Sequence, residues 1–146
     1  MAGRESTAPA EQNADIIKTP LRLVFVGDVM LARNIGDIIA TRGPEYPFEY
    51  VHDILQKGDI TMGNLESPVS DLDNTVCRKN ATVCFIASPE TIRGLSYAGF
   101  DIMNVANNHA LDYGPFVMND ALSHLSRAGI QYCGVQQEWM ILSRTL

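Results

Sequence analysis

The chain lacks a long apolar run, a cationic cluster and any cysteine pair spaced for a metal. No stretch approaches the roughly 20 consecutive apolar residues that a spanning helix needs. No apolar h-region follows the lone Arg4 near the N-terminus, so neither a membrane segment nor a secretion signal is visible. Lys and Arg number 11 against 17 Asp and Glu, a net charge of -6, and nothing longer than Arg78-Lys79 concentrates positive charge. A phosphate backbone would be repelled, which excludes nucleic acid as a partner. Neither G-x-x-x-x-G-K-[ST] nor G-x-G-x-x-G occurs, and there is no serine nucleophile elbow. The three cysteines are Cys77, Cys84 and Cys133, none in a C-x-x-C pair. We read Cys77 and Cys84 as unrelated thiols; the alternative, a hairpin disulfide, would suit an exported protein. The Asn80-Ala81-Thr82 triplet between them is a glycosylation acceptor only in a eukaryotic secretory route.

What is present suits one soluble globular domain: 146 residues, 46% hydrophobic and 19% charged. Residues 1–18 are polar and Ala-rich, and are expected to form a mobile leader. Residues 19–134 are expected to form the domain, and 135–146 an atypical tail.

Strand and helix signals alternate from Leu21. "LRLVFVGD" reads as a buried strand, and Leu31 to Ala40 as a helix that stops at Gly43-Pro44. "PFEYVHDILQKG" reads as a helix with Phe48, Val51, Ile54 and Leu55 on its core face. "DITMGN" is a second strand, the tract from Ser67 to Asn80 a long loop, and "ATVCFIA" an outlying strand. A helix opens at Ser88-Pro89-Glu90, with Ser88 as N-cap, and stops near Gly99. "FDIMNVA" is a strand, Pro115 to Ala128 a helix with Phe116, Met118, Leu122 and Leu125 in the core, and "IQYCG" the last strand. Strands separated by helices imply parallel crossovers and an α/β sheet covered on both faces.

Ligands in such sheets bind beyond the carboxyl ends of the strands. Three strand ends deliver polar clusters there: Asp28 from "GDVM", Asn64 and Glu66 from "GNLESP", and Asn107, Asn108, His109 and Asp112 from "NNHALD". Carboxylate, amide oxygen and imidazole without thiolate suit Mn, Fe, Zn or Mg rather than a structural zinc site. Gly27 and Gly63 precede the first two clusters and admit close approach of a ligand or backbone. Each residue alone also has a structural role open to it. Asp28 could cap a helix, Asn64 or Asn107 satisfy a turn, His109 bond within its loop, and Asp112 cap the helix near Pro115. Their coincidence on three strand ends favours a shared metal centre. His52 and His124 fall inside helices and read as surface or core-edge residues.

"FVGDVMLAR", "GNLESPVSD" and "AGFDIMNVANNHALDYG", in this order and spacing, resemble the CapA family of poly-gamma-glutamate capsule biosynthesis proteins. That family belongs to the calcineurin-like metallophosphoesterase superfamily. The resemblance implies an α/β/β/α sandwich, of which this chain would be the N-terminal half, with a divalent metal site holding two ions in the full-length protein. By that analogy Asp28, Asn64, Glu66 and Asn108 are metal ligands, His109 is catalytic, and Asn107 and Asp112 are supporting. Met30 stands where the superfamily commonly has a histidine, and Asn64 where it has a bridging aspartate. The resemblance further implies polyglutamate synthase or export subunits as partners, and a location on the outer side of the cytoplasmic membrane.

Overall fold

The computed structural model describes residues 20–72, 76–78 and 83–135. Four strands, β1 (Leu23–Val29), β2 (Ile60–Leu65), β3 (Ile102–Asn104) and β4 (Gln131–Cys133), form one parallel sheet in the order β1-β2-β3-β4. Between them run α1 (Arg33–Arg42), a 3₁₀ turn at Tyr46–Phe48, α2 (His52–Leu55), α3 (Thr91–Ala98) and α4 (Pro115–Arg127). The mixed α/β class and the parallel crossovers are as the sequence implies.

The order 1-2-3-4 has a consequence that periodicity does not reveal. Right-handed crossovers that always step to the same side place every helix on the same face of the sheet. Burial agrees: along β2, Thr61, Gly63 and Leu65 are buried while Ile60, Met62 and Asn64 are only half-buried. Among the described residues one face is covered and the other open, so the expectation of two covered faces is corrected.

β1, read as a buried strand, is mostly exposed, with Phe25 68% accessible. It lies at the sheet's margin, where Leu23 and Phe25 stand in register with Ile60 and Met62 on the open face. The core lies on the helical face, where Ile39, Leu55, Leu65, Leu95, Met103, Leu122 and Leu125 are buried.

Several local expectations also change. The helix expected from Pro47 breaks into the 3₁₀ turn and one α-helical turn, because the backbone closes i to i+3 at Phe48–Glu45 and Val51–Phe48. Phe48 and Leu55 still reach the core, but Val51 and Ile54 are left exposed. "ATVCFIA" forms no strand among its described residues; one parallel bridge, Val69 to Ala87, ties it to the loop after β2. Ser88 supports α3 through its carbonyl, which accepts from Thr91 N and Thr91 Oγ1, and not as a side-chain cap. Phe116 is exposed, and Val117 and Ala121 take core positions beside Met118. Gly99 does end α3, in the left-handed conformation at φ 84° that favours glycine.

Cys77 and Cys84 form a disulfide, contrary to the reading as unrelated thiols, while Cys133 is free and exposed. The leader, the Asn80-Ala81-Thr82 triplet and the tail beyond residue 135 lie outside the described residues. No helix among the described residues is long and apolar enough to cross a membrane.

Candidate functional site

A bulge in β1 aligns the strand ends. Phe25 pairs with Met62 and Asp28 with Asn64, so Val26 and Gly27 together stand opposite the single Gly63. An extra residue of this kind shifts the strand by one step and re-aims the side chains beyond it. Without it Asp28 would stand opposite Leu65; with it, Asp28, Asn64, Asn104 and Cys133 share one register row across all four strands. Gly63 is needed at this point because a Cβ there would come within about 3.0 Å of Phe100 and Val26 side-chain atoms. Its close approach is to packed side chains on the helical face. The polar row lies on the open face.

Amides link that row. Asn64 Nδ2 donates to Asp28 Oδ1 at 2.7 Å, and Asn104 Nδ2 donates to Asn64 Oδ1 at 2.7 Å. Asn107 Nδ2 donates to the same Asn64 oxygen at 3.2 Å and to the Leu65 carbonyl at 2.9 Å. Asn107 Oδ1 accepts the His109 backbone N–H at 3.0 Å, which shapes the turn carrying the histidine. Asn64 is therefore the centre of the network, with its Oδ1 taking two donors.

The second half of the site is the turn after β3. His109 Nδ1 lies 2.7 Å from Asp112 Oδ2, and Asp112 is fully buried. The same oxygen accepts the Phe85 backbone N–H at 2.8 Å. With Nδ1 held, Nε2 is the ring nitrogen left to serve a ligand. Asp112 does not cap α4, whose N-cap is Gly114. Phe85 covers the imidazole, with ring centroids 4.1 Å apart, and the Arg33 guanidinium sits 6.0 Å from the Phe85 centroid. Phe85 directly follows Cys84, which is bonded to Cys77, and the Arg78 N–H next to Cys77 donates to the Asp112 carbonyl.

Every candidate residue has a definite position. Asp28, Asn64 and Asn107 belong to one hydrogen-bonded network, and His109 and Asp112 form an adjoining pair. Glu66 follows β2 half-buried, and Asn108 is exposed in the turn that carries the half-buried His109. Asn104, Phe85 and Arg33 carry no signal of their own in the sequence. Asn104 was legible in principle as the last residue of β3, but its meaning needs the register with Asn64. Met30 accepts the Ala32 N–H on its sulfur at 3.2 Å.

The donor chemistry fits a hard or borderline divalent ion. Asp28 engages one of its two carboxylate oxygens in the amide network, and the Glu66 carboxylate makes no hydrogen bond among the described residues. The candidate residues are not gathered into a shell. Asp28, Glu66 and His109 belong to no group of three His, Cys, Asp or Glu whose ligand atoms converge among the described residues, whereas Asp71, Asp120 and His124 do.

Residues 22–139 match the family model described as bacterial capsule synthesis protein PGA_cap. The chain belongs to this family. Among the curated relatives of this PGA_cap member is the capsule biosynthesis protein CapA of Bacillus anthracis, 30% identical over 136 residues, covering 92% of this chain and 32% of that protein. The PGA biosynthesis protein CapA of Bacillus subtilis is 29% identical over 133 residues, covering 91% of this chain and 34% of that protein. A probable polyglutamine synthesis accessory protein of Mycobacterium tuberculosis is 25% identical over 164 residues, covering 91% of this chain and 42% of its own length. The chain thus spans about a third of the length of the CapA proteins it matches.

Proposed function

We propose that this PGA_cap member contributes the strand-end site of a protein of poly-gamma-glutamate capsule synthesis or export, working beside polyglutamate synthase or export subunits. The observation that carries the reading is the register row Asp28–Asn64–Asn104 next to the His109–Asp112 pair, in a chain whose family is capsule synthesis. The description of the mycobacterial relative as an accessory protein supports a role alongside a synthase.

Asp28, Asn64, Glu66 and Asn108 would hold a divalent ion, Mn, Fe, Zn or Mg. Such an ion, when bound, polarises a substrate oxygen and lowers the pKa of water. The chain's own residues do the rest. Asp112 holds Nδ1 of His109 and so fixes the tautomer, leaving Nε2 to carry a proton to or from a leaving group. Asn64 and Asn107 hold the strand ends at fixed separation, and Phe85 shields one face of the imidazole from water.

A second reading, a metal-dependent phosphoesterase on a small substrate, is favoured by the His–Asp pair itself, which is suited to protonating a leaving group. Two assays on the full-length protein separate the readings. Loss of extracellular polyglutamate on deletion of the gene, without manganese-dependent hydrolysis of p-nitrophenyl phosphate, is the expected result. Hydrolysis that His109→Ala abolishes, with unchanged polymer, would favour the phosphoesterase.

A further inference from the structure

We propose a second cation site, for a zinc-class ion, formed by Asp71 from the loop after β2 and by Asp120 and His124 from α4. One ligand atom from each lies within 4.8 Å of the other two. None of these residues belongs to the strand-end row.

Two features of the chain put the donors together. Asp120 and His124 stand at i and i+4, so both project from the same face of α4. Asp71 is brought over that face by the loop: Val69 bridges to Ala87, Ser70 N donates to the Ala87 carbonyl at 3.0 Å, and Leu72 N donates to Ser70 Oγ at 3.1 Å. The Ser70 hydroxyl then donates to Asp120 Oδ2 at 2.6 Å, orienting that carboxylate as a supporting hydrogen bond does for a metal ligand.

His124 supplies the independent observation. Its Nε2 is shut off from solvent and makes no hydrogen bond. It lies 3.5 Å from Asp120 Oδ2, near enough for charge attraction but without hydrogen-bond alignment, and the two side chains are 16% and 20% accessible. An imidazole nitrogen closed off from solvent, beside a carboxylate and without a hydrogen bond, is placed as a metal ligand is. Ligands about 2 Å from one ion are about 3.3 Å apart. Contraction from 4.8 Å is within the reach of Asp71, which is exposed and free to change rotamer. One imidazole with two carboxylates suits zinc, cobalt or manganese better than magnesium or calcium, which take oxygen alone. Bound there, the ion would clamp the loop after β2 to α4.

The test is titration of the metal-free full chain with Zn²⁺ by calorimetry, and with Co²⁺ followed by visible absorption. An Asp28→Asn/Glu66→Gln background removes the strand-end carboxylates from the count. In that background the site should still bind one ion, with Asp71→Asn weakening it at least tenfold and His124→Ala removing the Co²⁺ spectrum. Asp71 is exposed, so its variant tests the proposal even if His124→Ala fails to fold. Equal Zn²⁺ affinity in the Asp71→Asn chain, or a folded chain that binds no ion in this background, would overturn the proposal and show a simple His–Asp ion pair. Neither result bears on the capsule reading, which rests on other residues.

Discussion

Asn64 is the residue on which the strand-end row depends. It donates to Asp28 and accepts from Asn104 and Asn107, so truncation takes one partner from each of two half-buried amides, while the exposed Asp28 carboxylate turns to water. Leaving partly buried polar groups without partners costs about 1–3 kcal/mol. Asn64→Ala should lower unfolding stability in urea by about that amount, and Asn64→Asp should lower it similarly by setting a second carboxylate beside Asp28. If the loss in Asn64→Asp is recovered by added Mn²⁺, the row is a metal site; an Asn64→Asp chain as stable as the original would contradict the network. Asp112 is the other critical side chain, because its buried Oδ2 takes both the Phe85 N–H and the His109 ring. Asp112→Ala should cost about 3 kcal/mol, read by the same unfolding curve. Both positions stood out in the sequence as polar residues, Asn64 near the end of β2 and Asp112 in the turn that follows β3, though their partners did not. Asn104 was hidden because it lies inside an apolar run, and His124 because i,i+4 spacing on a helix describes a solvated face as well as a ligand pair.

Among the elements, the strands were the most legible and the short helices the least. β2 and β3 follow from β-branched and apolar runs, and α4 from its heptad-like face. The difference at α2 has a local cause: Pro47 and the i to i+3 bonds tighten the chain into a 3₁₀ turn and leave α2 only one turn, so the apolar period there does not decide which residues are buried. The bulge at Val26–Gly27 was invisible for a related reason, because it is a relation between two strands. The loop carrying Phe85 was illegible for want of one fact, the pairing of Cys77 with Cys84, seven residues apart. Closing a loop of that size stabilises by about 2 kcal/mol on chain-entropy grounds. Before reduction, iodoacetamide should label Cys133 alone; after it, all three cysteines, with a lower melting temperature. Labelling of Cys77 or Cys84 in the unreduced folded chain would refute the bridge.

At the scale of the whole molecule, the open face of the sheet is the dominant feature. Leu23 and Ile60, and beyond them Phe25, Met62 and Ile102, form apolar rows that lead up to the polar row. Exposed apolar surface of this kind, on a sheet whose margin strand is β1, is an association surface. The CapA relatives are about three times as long. The chain by itself should therefore bind a hydrophobic dye and elute from size exclusion as more than a monomer. Phe25→Glu should reduce both; dye binding and elution unchanged by that substitution would place the association surface elsewhere. The α/β class and the strand ends could be read from sequence, but the single covered face follows from strand order, which no local pattern encodes.

The central claim is that the row Asp28–Asn64–Asn104 and the pair His109–Asp112 form the working site of a capsule-synthesis protein. Its most direct test is the polyglutamate released by cells whose gene for the full-length protein carries Asp28→Ala or His109→Ala, with protein level checked by immunoblot. The account predicts loss of polymer in both at undiminished protein level. Polymer at the original level from both would contradict it.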